Sequence, residues 1–144
     1  MEKPQRAPHT RRWTEQRWLV DNVIRSVGID WDQPRSINYN APCGPEANAD
    51  FTAIRERVKK YADISPAFKS AARRREVKAQ AAQDADEKVT ARQNYFIAAI
   101  QYAASQWPHD ENSEKISSSI NASASATRVT RILRITKWKR LGFR

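Results

Sequence analysis

Apolar and polar positions divide the chain into four stretches of helical spacing separated by segments that break it. From Thr14 to Ser26 the residues Trp18, Leu19, Val23, Ile24 and Val27 recur at roughly helical intervals. Gly28 follows, where the left-handed conformation common after a helix favours glycine. Ile29 to Pro45 contains Trp31, Pro34, Asn38, Asn40, Pro42, Gly44 and Pro45 and reads as irregular, with Trp31 and Tyr39 pinning it onto the helices. Asn48 or Asp50 caps a second helix to about Tyr61, with Phe51, Ile54, Val58 and Tyr61 on one face. Ser65-Pro66, a capping serine before a first-turn proline, starts a third helix that runs to about Asp86.

The fourth stretch, Thr90 to Trp107, is the most apolar and reads as the core helix. It has almost no polar face, can be capped by Thr90, and is stopped by Pro108. The short link from Asp86 to Val89 makes the third and fourth helices an antiparallel hairpin. In that hairpin the Ala71, Ala72, Ala79, Ala81, Ala82 and Ala85 face packs on the alanines of the core helix. The cluster Arg73, Arg74, Arg75 reads as a solvated helix face, because successive helical residues diverge and Glu76 is adjacent. Residues 1–10 read as a flexible, proline-punctuated lead, 11–114 as the helical domain and 115–144 as a basic, loosely attached tail. The expected fold class is therefore all-α, a small helical assembly with an irregular C-terminal tail.

Composition removes several chemistries. Three glycines among 144 residues exclude phosphate loops, dinucleotide fingerprints and the nucleophile elbow, which need clustered glycines. A single Cys43 excludes an intramolecular disulfide and a multi-cysteine zinc site, while His9 and His109 lie far apart, so no metal ligands or cofactors are assigned. No apolar run is long enough for a transmembrane helix and the N-terminus lacks a signal-peptide core, so a cytoplasmic location is expected.

Charge splits the chain at one point. All sixteen acids lie between Glu2 and Glu114, whereas eight of the 26 basic residues fall from Lys115 onward, leaving 18 for the body. The body is thus nearly balanced, and the tail is strongly cationic. In the tail a serine-rich half is followed by a basic half with interleaved Ile, Leu and Trp. One reading is a small basic protein that binds nucleic acid or an anionic membrane through Arg128 to Arg144, with Trp138 and Phe143 stacking or inserting. The apolar tail residues keep neither a helical nor a strand period. The other reading is that the tail is out of frame, so that Ile116 to Arg144 forms no stable packed element and marks no specific nucleic-acid site.

Three body segments carry a family resemblance: RRWTEQRWLVDNVIRSVGIDWDQPRSINYN, SPAFKSAARRREVKAQA and VTARQNYFIAAIQYAASQWP. Together, over roughly Arg11 to Glu114, they resemble the N-terminal helical cap region of α/β-hydrolases similar to dihydroxypseudooxynicotine hydrolase and related esterase-like proteins. Shifted by one base near Lys115, with synonymous codons chosen partly on that family's continuation, the tail decodes as DLFFNQRKRECYTRYANPADHKVEAAWVP. The resemblance implies a parent in which a cap covers a mostly parallel sheet bearing a Ser, an acid and a His, acting on ester or carbon–carbon bonds of small organic substrates. It implies that the missing hydrolase core is the chain's partner and that Tyr95, Phe96, Ile97, Ile100, Tyr102 and Trp107 pack the cap or wall the pocket. No G-x-S-x-G is present and no catalytic residue carries over. The expectation is a truncated cap fragment, frameshifted after Lys115 and inactive as a hydrolase by itself.

Overall fold

The computed structural model describes residues 10–109 and 121–128, which form six α-helices and short 3-10 turns, with no strand among them. The all-α class expected from periodicity is the observed one. The helices are α1 (Thr10–Val27), α2 (Gln33–Asn40), α3 (Asn48–Arg57), α4 (Ile64–Asp84), α5 (Lys88–Ala104) and α6 (121–128). Readings that concern residues 1–9, 110–120 and 129–144 lie outside the described residues.

The antiparallel α4–α5 hairpin is the centre of the assembly. Ala71, Ala72 and Ala79 of α4 and Ala91 and Ala98 of α5 are fully buried, and small side chains let two helix backbones approach closely. Ala81 and Ala85, placed on the same face from sequence, are exposed. The hairpin turn is a Schellman motif. Glu87 N donates to Ala82 O at 2.8 Å and Asp86 N to Gln83 O at 3.1 Å, with Asp86 at φ 58°. Glycine usually takes that left-handed position, and Asp is among the few other residues that tolerate it.

Around the hairpin the core gathers Ile24 of α1, Phe51 and Ile54 of α3, Val58, Tyr61, Ile64, Phe68 and Ile97. Phe68 is fully enclosed, with ring centroids of Phe51 and Tyr39 at 6.1 and 6.2 Å in edge-on contact. Burying a side chain of this size contributes about 1.5–3 kcal/mol. Polar anchors fix the outer helices. Tyr61 N donates to Asp21 Oδ1 at 2.7 Å, and Arg55 Nε pairs with Asp30 Oδ2 at 2.6 Å. Gly28 ends α1 at φ 85°, with its N–H bonded to Ile24 O at 2.8 Å.

Three local expectations are corrected. Ile29 to Pro45 is not irregular: it holds α2, two 3-10 turns and the first residue of a third. Pro34 sits in the first turn of α2, where its missing N–H costs nothing, and Asp32 accepts from Arg35 N at 3.3 Å as the N-cap. Trp31 and Tyr39 do pack on the core, as their aromatic character implied. The caps also differ. Neither Asn48, Asp50, Ser65 nor Thr90 serves as one, since α3, α4 and α5 begin after Ala47, Asp63 and Glu87 with no side-chain cap bond. Part of the tail is ordered against the body: in α6, Ala126 is buried with Ala79, Tyr95 and Ala99, and Ser123 Oγ donates to Ala99 O at 3.0 Å. A segment expected to form no packed element thus contributes one, because Ala126 fits against the small residues Ala79 and Ala99 of the hairpin.

Candidate functional site

The strongest polar constellation lies inside the fold. On α4 the positions 68, 71, 72, 75, 79 and 82 share one face, and five of the six are apolar and buried. The sixth is Arg75, only 8% exposed. This corrects its reading as part of a solvated cluster: Arg73 and Arg74 are exposed, while Arg75 points inward. A buried guanidinium needs partners, and all three nitrogen positions have one. Nε donates to Asp50 Oδ2 at 2.5 Å, Nη1 to Asn94 Oδ1 at 3.0 Å and Nη2 to Glu46 O at 2.6 Å. Asp50 stands in the first turn of α3, where a negative charge also meets the positive end of the helix dipole.

Two α5 side chains complete the cluster. Asn94 Nδ2 donates to Thr90 O at 2.9 Å, which orients its carbonyl toward Arg75. Gln101 is fully buried and donates to Asp50 Oδ2 at 3.2 Å, while its Oε1 has no partner among the described residues. The network therefore ties α3, α4, α5 and the turn at Pro45–Ala47 into one unit. Each nitrogen of its guanidinium is bonded within the protein, so its role is to clasp the fold. The sequence contained a signal for it, since an arginine, an asparagine and a glutamine each sit on an otherwise apolar helical stripe.

The reactive groups elsewhere are quiet. Cys43 is buried, its Sγ–H donating to Tyr39 O at 3.3 Å. Burial pushes its thiol up to about 11, with Arg75 and Asp50 acting in opposite directions, so it is poor in thiolate at neutral pH. His109 and Ser65 come together across 44 residues, with Nε2 and Oγ 3.2 Å apart. Ser65 is 7% exposed in the first turn of α4, so its hydroxyl fastens the segment after α5 to that turn and is closed to a substrate. Among the described residues no group of three or more His, Cys, Asp or Glu could hold a metal ion. Among the same residues no helix is long and apolar enough to cross a membrane.

The six residues picked from sequence are divided by the fold. Tyr95, Ile97 and Tyr102 are buried, Ile100 and Trp107 are half-buried, and Phe96 is 41% exposed. Tyr95 Oη donates to Gln80 Oε1 at 3.0 Å and Tyr102 Oη to Glu76 Oε2 at 2.9 Å, so both tyrosines staple α5 to α4. Burial first, then the Glu76 carboxylate, pushes the Tyr102 phenol up to about 12, and burial raises Tyr95 as well. Trp107 lies between Tyr39, at 6.5 Å, and the guanidinium of Arg35, 5.5 Å from its ring. Of the six, Tyr95 and Tyr102 thus join the two arms of the hairpin, Ile97 lies in the core with Ile100 and Trp107 packed against it, and Phe96 stays partly exposed. Comparison with protein-family models, curated proteins and solved structures finds no match.

Proposed function

We propose that the chain is a helical cap-type region of an α/β-hydrolase-like protein, a lid that packs on a separate catalytic layer and has no hydrolytic machinery of its own. The observation that carries this reading is the relation between two of the resembling segments. SPAFKSAARRREVKAQA and VTARQNYFIAAIQYAASQWP are the two arms of the central hairpin, locked by Arg75 and by the tyrosine staples. That hairpin is internally complete, yet Val77, Val89 and Phe96 on its arms stay exposed. Trp18 and Leu19 on α1 are also bare, at 65% and 52%. An outward apolar set on a rigid helical frame is what a lid needs to seat on a sheet domain. The parent would act on ester or carbon–carbon bonds of small organic molecules, in the cytoplasm, and this region would wall the substrate pocket. The resemblance that motivates the reading spans residues 11–114.

Two experiments test it. Purified protein is expected to hydrolyse neither esters nor carbon–carbon bonds of small aromatic substrates, and turnover abolished by changing a single serine overturns the proposal. Reading the gene's bases around the Lys115 codon is expected to show that the neighbouring frame continues into a hydrolase core.

A further inference from the structure

Two arginines from different helices converge on one hydroxyl. Arg57 is the last residue of α3, Arg74 lies in α4, and Nη1 of each donates to Ser70 Oγ, at 3.2 and 3.1 Å. A hydroxyl oxygen has two acceptor positions and one hydrogen to give. Both acceptor positions of Ser70 are filled from the cationic side, so its hydrogen is free to be donated elsewhere. Arg55, Arg73 and Arg75, on the same two helices, each pair with a carboxylate. Neither Arg57 nor Arg74 has a carboxylate within ion-pair distance among the described residues. Two like charges are thus held on one small polar group, and their mutual repulsion is offset by the attraction of each to an anion placed between them.

We propose that Arg57, Ser70 and Arg74 form a binding site for a phosphate group, either inorganic phosphate or the end of a phosphate monoester. Guanidinium forks match the oxygen edges of a phosphate, and each arginine spends only Nη1 on Ser70, so its remaining N–H groups are left for charge-assisted bonds to the anion. Ser70 supplies a third donor through its hydrogen. The site is open to solvent, since both arginines are exposed and Ser70 is partly so. It stands on two helices whose relative position is fixed by the residue after Arg74, since Arg75 holds Asp50. The site is therefore preorganised, and it asks no rearrangement of the fold.

The test titrates inorganic phosphate into the full chain at low salt, following the arginine Nε–H resonances by NMR, with sodium chloride at matched ionic strength as reference. Saturable shifts at Arg57 and Arg74 are expected. Arg57→Ala and Arg74→Ala should each weaken the affinity at least about tenfold, as loss of a hydrogen bond to a charged group does. The double variant should keep only the attraction of the remaining cations. Thermal melts give a second readout: phosphate raises the midpoint of the wild type and leaves that of the double variant where chloride leaves it. Co-sedimentation with phosphatidylcholine vesicles, with and without phosphatidic acid, separates the sources. Capture that needs both arginines assigns the site to a lipid phosphate, and binding of soluble phosphate without capture assigns it to a soluble one. Phosphate shifts equal to those with chloride, or unchanged in a folded double variant, overturn the proposal.

Discussion

Replacing Arg75 with alanine is expected to be the most damaging single change at a polar residue of this fold. The Arg75 and Asp50 side chains keep only 10% and 13% exposure, so their pairing is poorly screened by water. Truncation leaves the Asp50 carboxylate with Gln101 and strips Asn94 Oδ1 and Glu46 O of the arginine's N–H donors. Removing one member of a buried ion pair costs about 3–5 kcal/mol, chiefly because the other charge stays behind unpaired. Against a total stability on the order of 5–15 kcal/mol, Arg75→Ala should leave a marginal fold. Removing both charges, as in Arg75→Met with Asp50→Leu, should cost clearly less than the two single changes summed. The control is Arg73→Ala, which removes only an exposed, solvent-screened bond to Glu76 at 2.8 Å. Urea unfolding followed by far-ultraviolet circular dichroism measures all five variants. An Arg75→Ala cost as small as that of Arg73→Ala would refute the clasp role.

Alkaline pH should destabilise the protein in a defined window. Cys43 rises from 9.0 to about 11 and Tyr102 from 10.0 to about 12 on folding, so the unfolded chain loses these protons first. Their contribution is fully present below pH 9, declines as pH rises through each folded value, and should decline less above pH 10 in Tyr102→Phe, as melts from pH 8 to 12 would show. A two-unit rise also leaves roughly 100-fold less thiolate at pH 8, so Cys43 should react with an aromatic disulfide at least that much more slowly in native protein than in urea. Gly28→Ala should cost about 1–3 kcal/mol in urea unfolding. An added Cβ there meets nothing within 4 Å, so a loss would come from backbone strain at φ 85° and ψ −176°, and an unchanged midpoint would count against that reason.

Local chemistry was legible in the sequence. Helical spacing located α1, α3, α4 and α5 to within a few residues, Gly28 marked the end of α1, and the short link after α4 announced the hairpin. These features depend on neighbours in the chain, and the sequence lists neighbours directly. α2 was missed because proline reads as a breaker unless it falls in a first turn, and only the Asp32 cap shows that Pro34 does. α5 is apolar almost all round, so its pattern offered no basis for choosing a buried side. The fold covered Tyr95 and Ile97 and left Phe96 out, because α4 and α6 occupy particular faces. The fate of the three consecutive arginines was decided in the same way. They diverge around one helix, so Arg73 meets a neighbour on its own helix, Arg74 joins Arg57 at Ser70, and Arg75 enters the core beside Asp50. Such partners lie up to 29 residues away, and burial by distant segments turns a charge from a solvated ornament into a clasp.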